Sequence, residues 1–250
     1  MRARHPPMLD IPELAAKVRH LAYTTPASEG LLPVCKPKSN TSFSLVSMMR
    51  RLTGIRTIGH AGTLDPFAEG VMLLLIGRKY TQMSNQFLNQ DKQYLATVHL
   101  GITTDSYDTE GQVTASSPLV PTLEEVERAL LKFQGTILQT PPMFSAKKVD
   151  GKKLYTLARQ GITIAREPST VTLHIQLLRY TYPLLELNVT CSKGTYIRSL
   201  AYDIGLELQC GAHLSALTRT RSGAFTLAQC CDGAKLMQPG YDWKQFLQTV

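Results

Sequence analysis

Five cysteines, Cys35, Cys191, Cys210, Cys230 and Cys231, include no C-x-x-C pair. An odd set without that spacing favours neither a disulfide framework nor a zinc ribbon, and free thiols are expected. The six histidines lack the H-x-x-x-H spacing that brings two imidazoles onto one helical face, so no metal is expected. Neither G-x-G-x-x-G nor G-x-x-x-x-G-K-[ST] occurs, which removes the common dinucleotide and nucleoside-triphosphate loops. The longest hydrophobic run, Val71 to Ile76, falls far below the roughly 20 residues that cross a bilayer, so no membrane span is expected. Residues 1–7 carry Arg2 and Arg4 but no apolar stretch of a secretion signal follows, and the chain reads as cytoplasmic. Carboxylates are also scarce, 19 against 27 Lys+Arg, a net charge of +8. That balance suits a polyanionic partner without identifying one.

What is present is enough apolar residue, 43%, to pack one large domain with a small appendage in 250 residues. Residues 1–30 read as an N-terminal extension: Asp10, Pro12 and Glu13 start a short amphipathic helix whose Leu14, Ala15, Val18 and Leu21 share a stripe, and a small, polar linker follows. The main domain is expected over residues 31–235, with 236–250 as a terminal tail or short helix. Ser42 is expected to cap a helix with Leu45, Val46, Met49 and Leu52 inward, ending at Gly54. Val71 to Ile76 reads as a buried strand and Tyr94 to Leu100 as another. Thr122 and Glu125 form a capping box ahead of Val126, Leu130 and Phe133. Leu185, Leu187, Val189 and Cys191 alternate with polar residues, which predicts a half-buried strand paired across Pro183 with Val171 to Tyr182. Ile197, Leu200, Ala201, Ile204 and Leu208 then mark a helix. This order predicts an α+β fold with a mixed, mostly antiparallel sheet and flanking helices.

The densest punctuation is Gly59-His60-Ala61-Gly62-Thr63-Leu64-Asp65-Pro66-Phe67-Ala68-Glu69-Gly70. Its glycines let backbone approach another molecule closely, and Pro66 keeps Asp65 extended, where its carboxylate is available as a nucleophile. On composition alone the same residues serve equally well as a tight Asp-Pro turn. The stretch from Thr140 to Arg166 carries Lys147, Lys148, Lys152, Lys153, Arg159 and Arg166 against Asp150 as its acid, together with Phe144 and Tyr155. That composition fits either a solvated face or phosphate contact with stacking.

The loop around Asp65 resembles the G-H-x-G-x-L-D-P motif of the TruB-type tRNA pseudouridine synthases. The likeness recurs in the family's order at Asp91-Lys92-Gln93-Tyr94, Leu100-Gly101-Ile102-Thr103-Thr104-Asp105, Pro141-Pro142-Met143-Phe144-Ser145-Ala146, Gly151-Lys152-Lys153-Leu154-Tyr155, Ser192-Lys193-Gly194-Thr195-Tyr196-Ile197-Arg198 and Gly211-Ala212-His213-Leu214. Together these cover roughly residues 31–225. The resemblance implies the pseudouridine synthase catalytic fold, and the residues after Phe225 are too few for the C-terminal PUA domain that many members carry.

It also implies a reaction: isomerisation of uridine 55 in the T arm of tRNA, with the base flipped out of its stack and a covalent adduct on Asp65. Arg198 would pair with Asp65 and keep it ionised, and Tyr94 would stack on the flipped base within reach of proton transfer. His60 would fill the vacated stack, while Tyr196 and Leu217 would wall the uracil. Lys36, Lys147, Lys148, Lys152 and Lys153 would contact the RNA, the last four within an RNA-gripping insertion at residues 140–166. Attack on the sugar and attack on the pyrimidine ring are left open. Exchanging one glycosidic bond for another needs no cofactor, and no obligatory protein partner is implied, so a monomer acting on tRNA is expected. A non-catalytic RNA-binding or RNA-folding protein would use the same basic surface. Two departures stand out: Cys35 and Ser39 replace the Asp and Gly of the family's Asp-Lys-Pro-x-Gly opening, and Phe144 stands where tyrosine is frequent.

Overall fold

The computed structural model describes residues 29–145, 147–149, 151–158 and 160–249. The helix expected over Asp10 to Leu21 lies outside the described residues. The chain opens with β1 (Gly30–Lys36), α1 (Ser42–Thr53), β2 (Ile58–His60) and β3 (Glu69–Ile76). Two single-turn helices, α2 (Arg78–Gln82) and α3 (Ser84–Leu88), lead into β4 (Lys92–Leu100) and the small hairpin β5 (Ile102–Thr104) with β6 (Val113–Ser116). Next come α4 (Leu123–Leu131), β7 (Gly135–Gln139), the short pair β8 (Lys148–Val149) and β9 (Lys152–Lys153), and α5 (Leu154–Ala158). The long hairpin β10 (Ser169–Thr181) and β11 (Leu184–Cys191), α6 (Ile197–Glu207), β12 (Ala212–Ser222), β13 (Phe225–Thr226) and β14 (Cys231–Asp232) complete the order.

One ten-stranded sheet carries the fold, in the order β14-β1-β3-β12-β4-β11-β10-β7, with β13 on β12 and β2 on β3. Only β1 with β14 and β3 with β12 run parallel, so the mixed, mostly antiparallel α+β architecture holds. β3 reads as an unbroken apolar run because it is covered on both faces. Met72, Leu74 and Ile76 pack with α1 through Leu45, Val46 and Met49, and Leu73 and Leu75 pack with Tyr80 of α2. β11 alternates for the opposite reason: Leu185, Leu187, Val189 and Cys191 enter the core under α4 and α6, while its polar residues face away. β10 and β11 pair antiparallel from Leu173↔Cys191 to Thr181↔Leu184, as the alternation predicts.

The capping box at α4 is present, with the Thr122 side chain accepting from Glu125 N–H and Glu125 Oε2 accepting from Thr122 N–H. At α1 the cap differs from expectation. Thr41 caps the helix by accepting from Ser44 N–H at 3.0 Å, and Ser42 is the first helical residue, buried. Its hydroxyl is used elsewhere: it accepts from Leu64 N–H at 2.9 Å and donates to Leu64 C=O at 3.0 Å. The C-terminal stretch packs back on this half, with Leu236 and Trp243 in the α1 cluster and Gln248 exchanging both backbone hydrogen bonds with Leu31.

Ser39 adopts φ 65°, the left-handed region, at the position where the resembled family has glycine. The turn is one that glycine adopts freely, and Ser39 N–H donates to Pro66 C=O at 2.8 Å. A Cβ in that region costs about 1 kcal/mol. Replacing Ser39 by Gly is expected to stabilise the fold by about 0.5 kcal/mol after the extra freedom of the unfolded chain is counted, read as a higher urea midpoint with unchanged slope.

Candidate active site

The segment between β2 and β3, residues 61–68, carries Asp65 and has no regular structure of its own. It is pinned from four directions. Ala61 N–H donates to Leu73 C=O, and the Ser42 hydroxyl holds Leu64. Arg219, 1% exposed, donates from Nε to Val71 C=O at 2.6 Å, from Nη1 to Thr63 C=O and from Nη2 to Gly62 C=O, both at 3.3 Å. Lys36 is fully buried, and its ammonium donates to Pro37 C=O at 2.9 Å, Asn40 C=O at 2.6 Å and Pro66 C=O at 3.3 Å. Buried carbonyls of an irregular loop need donors, and an ammonium or guanidinium supplies three or more from one side chain. Gly70 shows how closely Arg219 approaches: a Cβ there would lie 2.3 Å from Arg219 O, at φ 114°.

Arg198, second residue of α6, faces this loop. Nε donates to Asp65 Oδ2 at 2.9 Å and Nη2 to Asp65 Oδ1 at 3.2 Å, a two-pronged grip that only a planar guanidinium makes. The remaining donors go to Phe144 C=O at 2.8 Å and Ser106 C=O at 3.1 Å, and Nη1 stands 3.4 Å from Asp108 Oδ2. The Arg198 side chain is 5% exposed whereas Asp65 is 33% exposed, so the pair is dry behind and open in front. Gln139 fixes the start of α6 by accepting from Tyr196 N–H at 2.8 Å and donating to Tyr196 C=O at 3.1 Å.

In front of Asp65 lies a cleft of about 740 Å³, within the range of small-molecule sites. Asp65, Tyr94, Arg198, Tyr196 and Leu217 all line it, so the structure brings five of the residues named from sequence into one cavity. Tyr94 is buried, which pushes its phenol above the usual range against the opposing charge of Arg219. His60 is not among the lining residues. It ends β2, half-buried, with Nδ1 buried and unpaired, and burial followed by the Arg219 charge lowers its pKa and favours the neutral ring.

The expected RNA contacts fare differently. Lys36 cannot meet a phosphate, because its ammonium is enclosed by carbonyls under the Asp65 loop, two of them, Pro37 and Asn40, on either side of the turn at Lys38 and Ser39. Burial pulls its pKa down to about 8, with the Asp65 charge opposing. Lys147 is half-buried and donates to Ser169 Oγ at 3.1 Å, at the base of the insertion. Lys148, Lys152 and Lys153 lie on the β8–β9 pair, their side chains outside the described residues.

Three residues at the site have no role in the sequence reading. Asp108 is buried, accepts from the Ser106 hydroxyl and from Glu110 N–H, and faces Arg198; burial raises its pKa, with Ser106 and Arg198 opposing. Lys92 donates to Leu88 C=O at 2.8 Å and to Phe87 and Gln90 carbonyls, holding the cleft wall at Leu88, and burial pulls its pKa down to about 8. Arg219 is the third, and its signal is present in the sequence: two residues from Leu217 on one strand, it must share that residue's inward face.

Lys36 makes a pH signature. Its folded pKa lies below its ordinary 10.5, so between about 8 and 10.5 the unfolded chain binds more protons and this residue makes stability rise with pH. The stability of the wild type relative to Lys36→Met is therefore expected to increase from pH 7.5 to pH 10, measured by urea unfolding of both at each pH.

Comparison with known proteins gives the family. The model of the TruB family pseudouridylate synthase N-terminal domain matches residues 50–197, and that of the tRNA pseudouridylate synthase B C-terminal domain matches residues 198–249. A tRNA pseudouridine synthase B of Protochlamydia amoebophila (strain UWE25) is 59% identical over 215 residues, covering 85% of this chain and 82% of that protein. One of Dehalococcoides mccartyi (strain CBDB1) is 44% identical over 218 residues, covering 86% and 72%. Among solved structures, a crystal structure of a Cbf5-Nop10-Gar1 complex superposes with a TM-score of 0.67 at 29% identity, covering 88% of this chain and 57% of that one. A family model spanning more than half the residues and relatives well above 30% identity show that the chain belongs to the TruB family of pseudouridylate synthases.

Proposed function

We propose that this protein converts uridine 55 in the T arm of tRNA to pseudouridine, with Asp65 as nucleophile. The observation that carries the reading is the Asp65 carboxylate held by Arg198 at the floor of a cleft large enough for a flipped nucleotide. The reaction detaches uracil from its sugar at N1 and rejoins it through C5, so the base must leave the helical stack and stay captive while detached. The cleft supplies the walls: Tyr94 and Tyr196 as aromatic faces and Leu217 as an aliphatic one, which hold a planar base without demanding charge. Arg198 fixes the direction of the Asp65 carboxylate for attack through two hydrogen bonds. The Tyr94 phenol, protonated in its buried setting, is the group placed to exchange a proton with the bound base.

His60 takes the space left by the extruded nucleotide. A neutral ring stacks between bases without adding charge to the helix interior, which fits the lowered pKa. The insertion at residues 140–166 grips the RNA arm through Lys147, Lys148, Lys152 and Lys153. Its two ends are tied together by Arg166 Nη1 donating to Pro141 C=O at 3.1 Å, and Phe144 C=O joins it to Arg198. RNA held by the insertion is thereby linked, through Phe144, to the residue that aligns the nucleophile. The protein is read as a monomer acting on tRNA in the cytoplasm.

Asp65→Asn tests the chemistry. The variant is expected to bind unmodified tRNA with wild-type affinity and to form no pseudouridine, measured by mapping modified uridines after incubation. Product from the variant at the wild-type rate sinks the nucleophile, and no product from the wild type leaves an RNA-binding protein. Arg198→Lys separates charge from geometry: a point charge cannot grip both carboxylate oxygens, so the single-turnover rate is expected to fall at least ~100-fold, about 2.7 kcal/mol of barrier.

A further inference from the structure

From Lys36 to Gln90 the only carboxylates are Asp65 and Glu69, while Arg50, Arg51, Arg56, Arg78 and Lys79 all fall within the segment. The fold gathers these cations at one corner. Gly77 N–H donates to Thr57 C=O at 2.8 Å, so Arg56 and Arg78 flank one another where β2 begins and β3 has ended. Arg50 Nη2 donates to Ile58 C=O at 3.2 Å and brings the end of α1 to the same place. Arg51, Arg56 and Arg78 are exposed. Glu29 lies against Gly77, which leaves the corner a surplus of positive charge.

This corner is not at the cleft. β3 spans eight residues, so it stands about 20 Å from the loop that carries Asp65. The surface between the two is made by α2 and α3, which run from Arg78 back to the cleft wall at Leu88. Its exposed side chains are amides: Gln82, Asn85, Gln86, Asn89 and Gln90. Asn89 joins the cleft mouth by accepting from Lys193 Nζ at 2.9 Å. Among the described residues, no large hydrophobic side chain between Gly70 and Gln90 is exposed.

We propose that this track is a second RNA-binding surface, which takes the sugar-phosphate backbone of the substrate tRNA beyond the flipped nucleotide. It rests on the tRNA-modifying reading above. Amides and guanidinium groups hydrogen-bond phosphate and ribose, and a path whose one carboxylate, Glu29, is outnumbered by its arginines lessens the repulsion that would oppose a polyanion. A protein partner would need an apolar or aromatic anchor, and α2 and α3 offer none, while the exposed Phe43 of α1 lies under the Arg50 guanidinium, 5.6 Å away; a wet, polar, cationic surface suits nucleic acid instead. The length of the path exceeds one nucleotide, so a chain of phosphates is the ligand that fills it.

The test is the double variant Arg56→Ala/Arg78→Ala of the full chain, with Arg128→Ala on α4 as a control away from the track. Affinity for unmodified full-length tRNA is measured by filter binding between 50 and 200 mM salt, and pseudouridine yield is measured at sub-saturating enzyme. The double variant is expected to bind more weakly at low salt, with a plot of log affinity against log salt shallower by about two, one for each phosphate that is no longer neutralised, and product yield falling in step. The control keeps the wild-type slope. An unchanged slope and affinity in the double variant overturns the proposal and hands the corner to an acidic protein. Should the wild type form no pseudouridine while the slope still shifts, the catalytic reading falls and the RNA surface stands.

Discussion

One guanidinium organises the centre of this molecule. Arg198 is shared among Asp65, Asp108, Ser106 and Phe144, which come from the β2–β3 loop, the β5–β6 turn and the start of the insertion, while α6 supplies the arginine itself. A buried cation is tolerable only when its donors are answered, and here they are answered by two carboxylates and two carbonyls. The arrangement has a direction: the side facing the core is dry, the side facing the cleft is open, and the partner on the open side is the acid that would react. Alignment of Asp65 is thus a property of four segments at once.

The same principle recurs at smaller scale. Lys36 and Arg219 are buried cations whose partners are backbone carbonyls, three of them in the Asp65 loop and the others at Pro37, Asn40 and Val71. Neutral donors could satisfy those carbonyls one at a time, but a cation does so from a single point and also places positive potential beneath a loop that carries a carboxylate. Structural and electrostatic demands are met by the same atoms, which explains why two charged side chains are sealed inside a protein of ordinary size.

Much of this is legible in the residues. β3, the β10–β11 hairpin, the α4 capping box and α6 follow from patterning because both faces of β3 and one face of β11 are buried, and burial is what patterning records. The motifs around Asp65, Tyr94 and Arg198 lead to residues that share one cleft. Lys36 misleads because a lysine beside proline looks solvated in sequence; its carbonyl cage exists only after the chain turns at Lys38 and Ser39. Ser42 misleads because Thr41 and Ser42 are both good caps, and the choice between them is settled by Leu64, far along the chain. Asp108 sits in a turn whose composition is that of any solvated bend, and only its burial against Arg198 sets it apart.

The parallel contact between β3 and β12 is brief, Thr218 with Glu69 and Arg219 with Gly70. It is nevertheless a seam between two halves of the sheet, one bringing Asp65 and the other bringing Tyr94, Leu217 and Arg198. Each half can be well formed and still inert, since the reactive geometry exists only in their register. Loss of that register, which Arg219 also holds through Val71, Thr63 and Gly62, would part the acid from its arginine while leaving every strand intact.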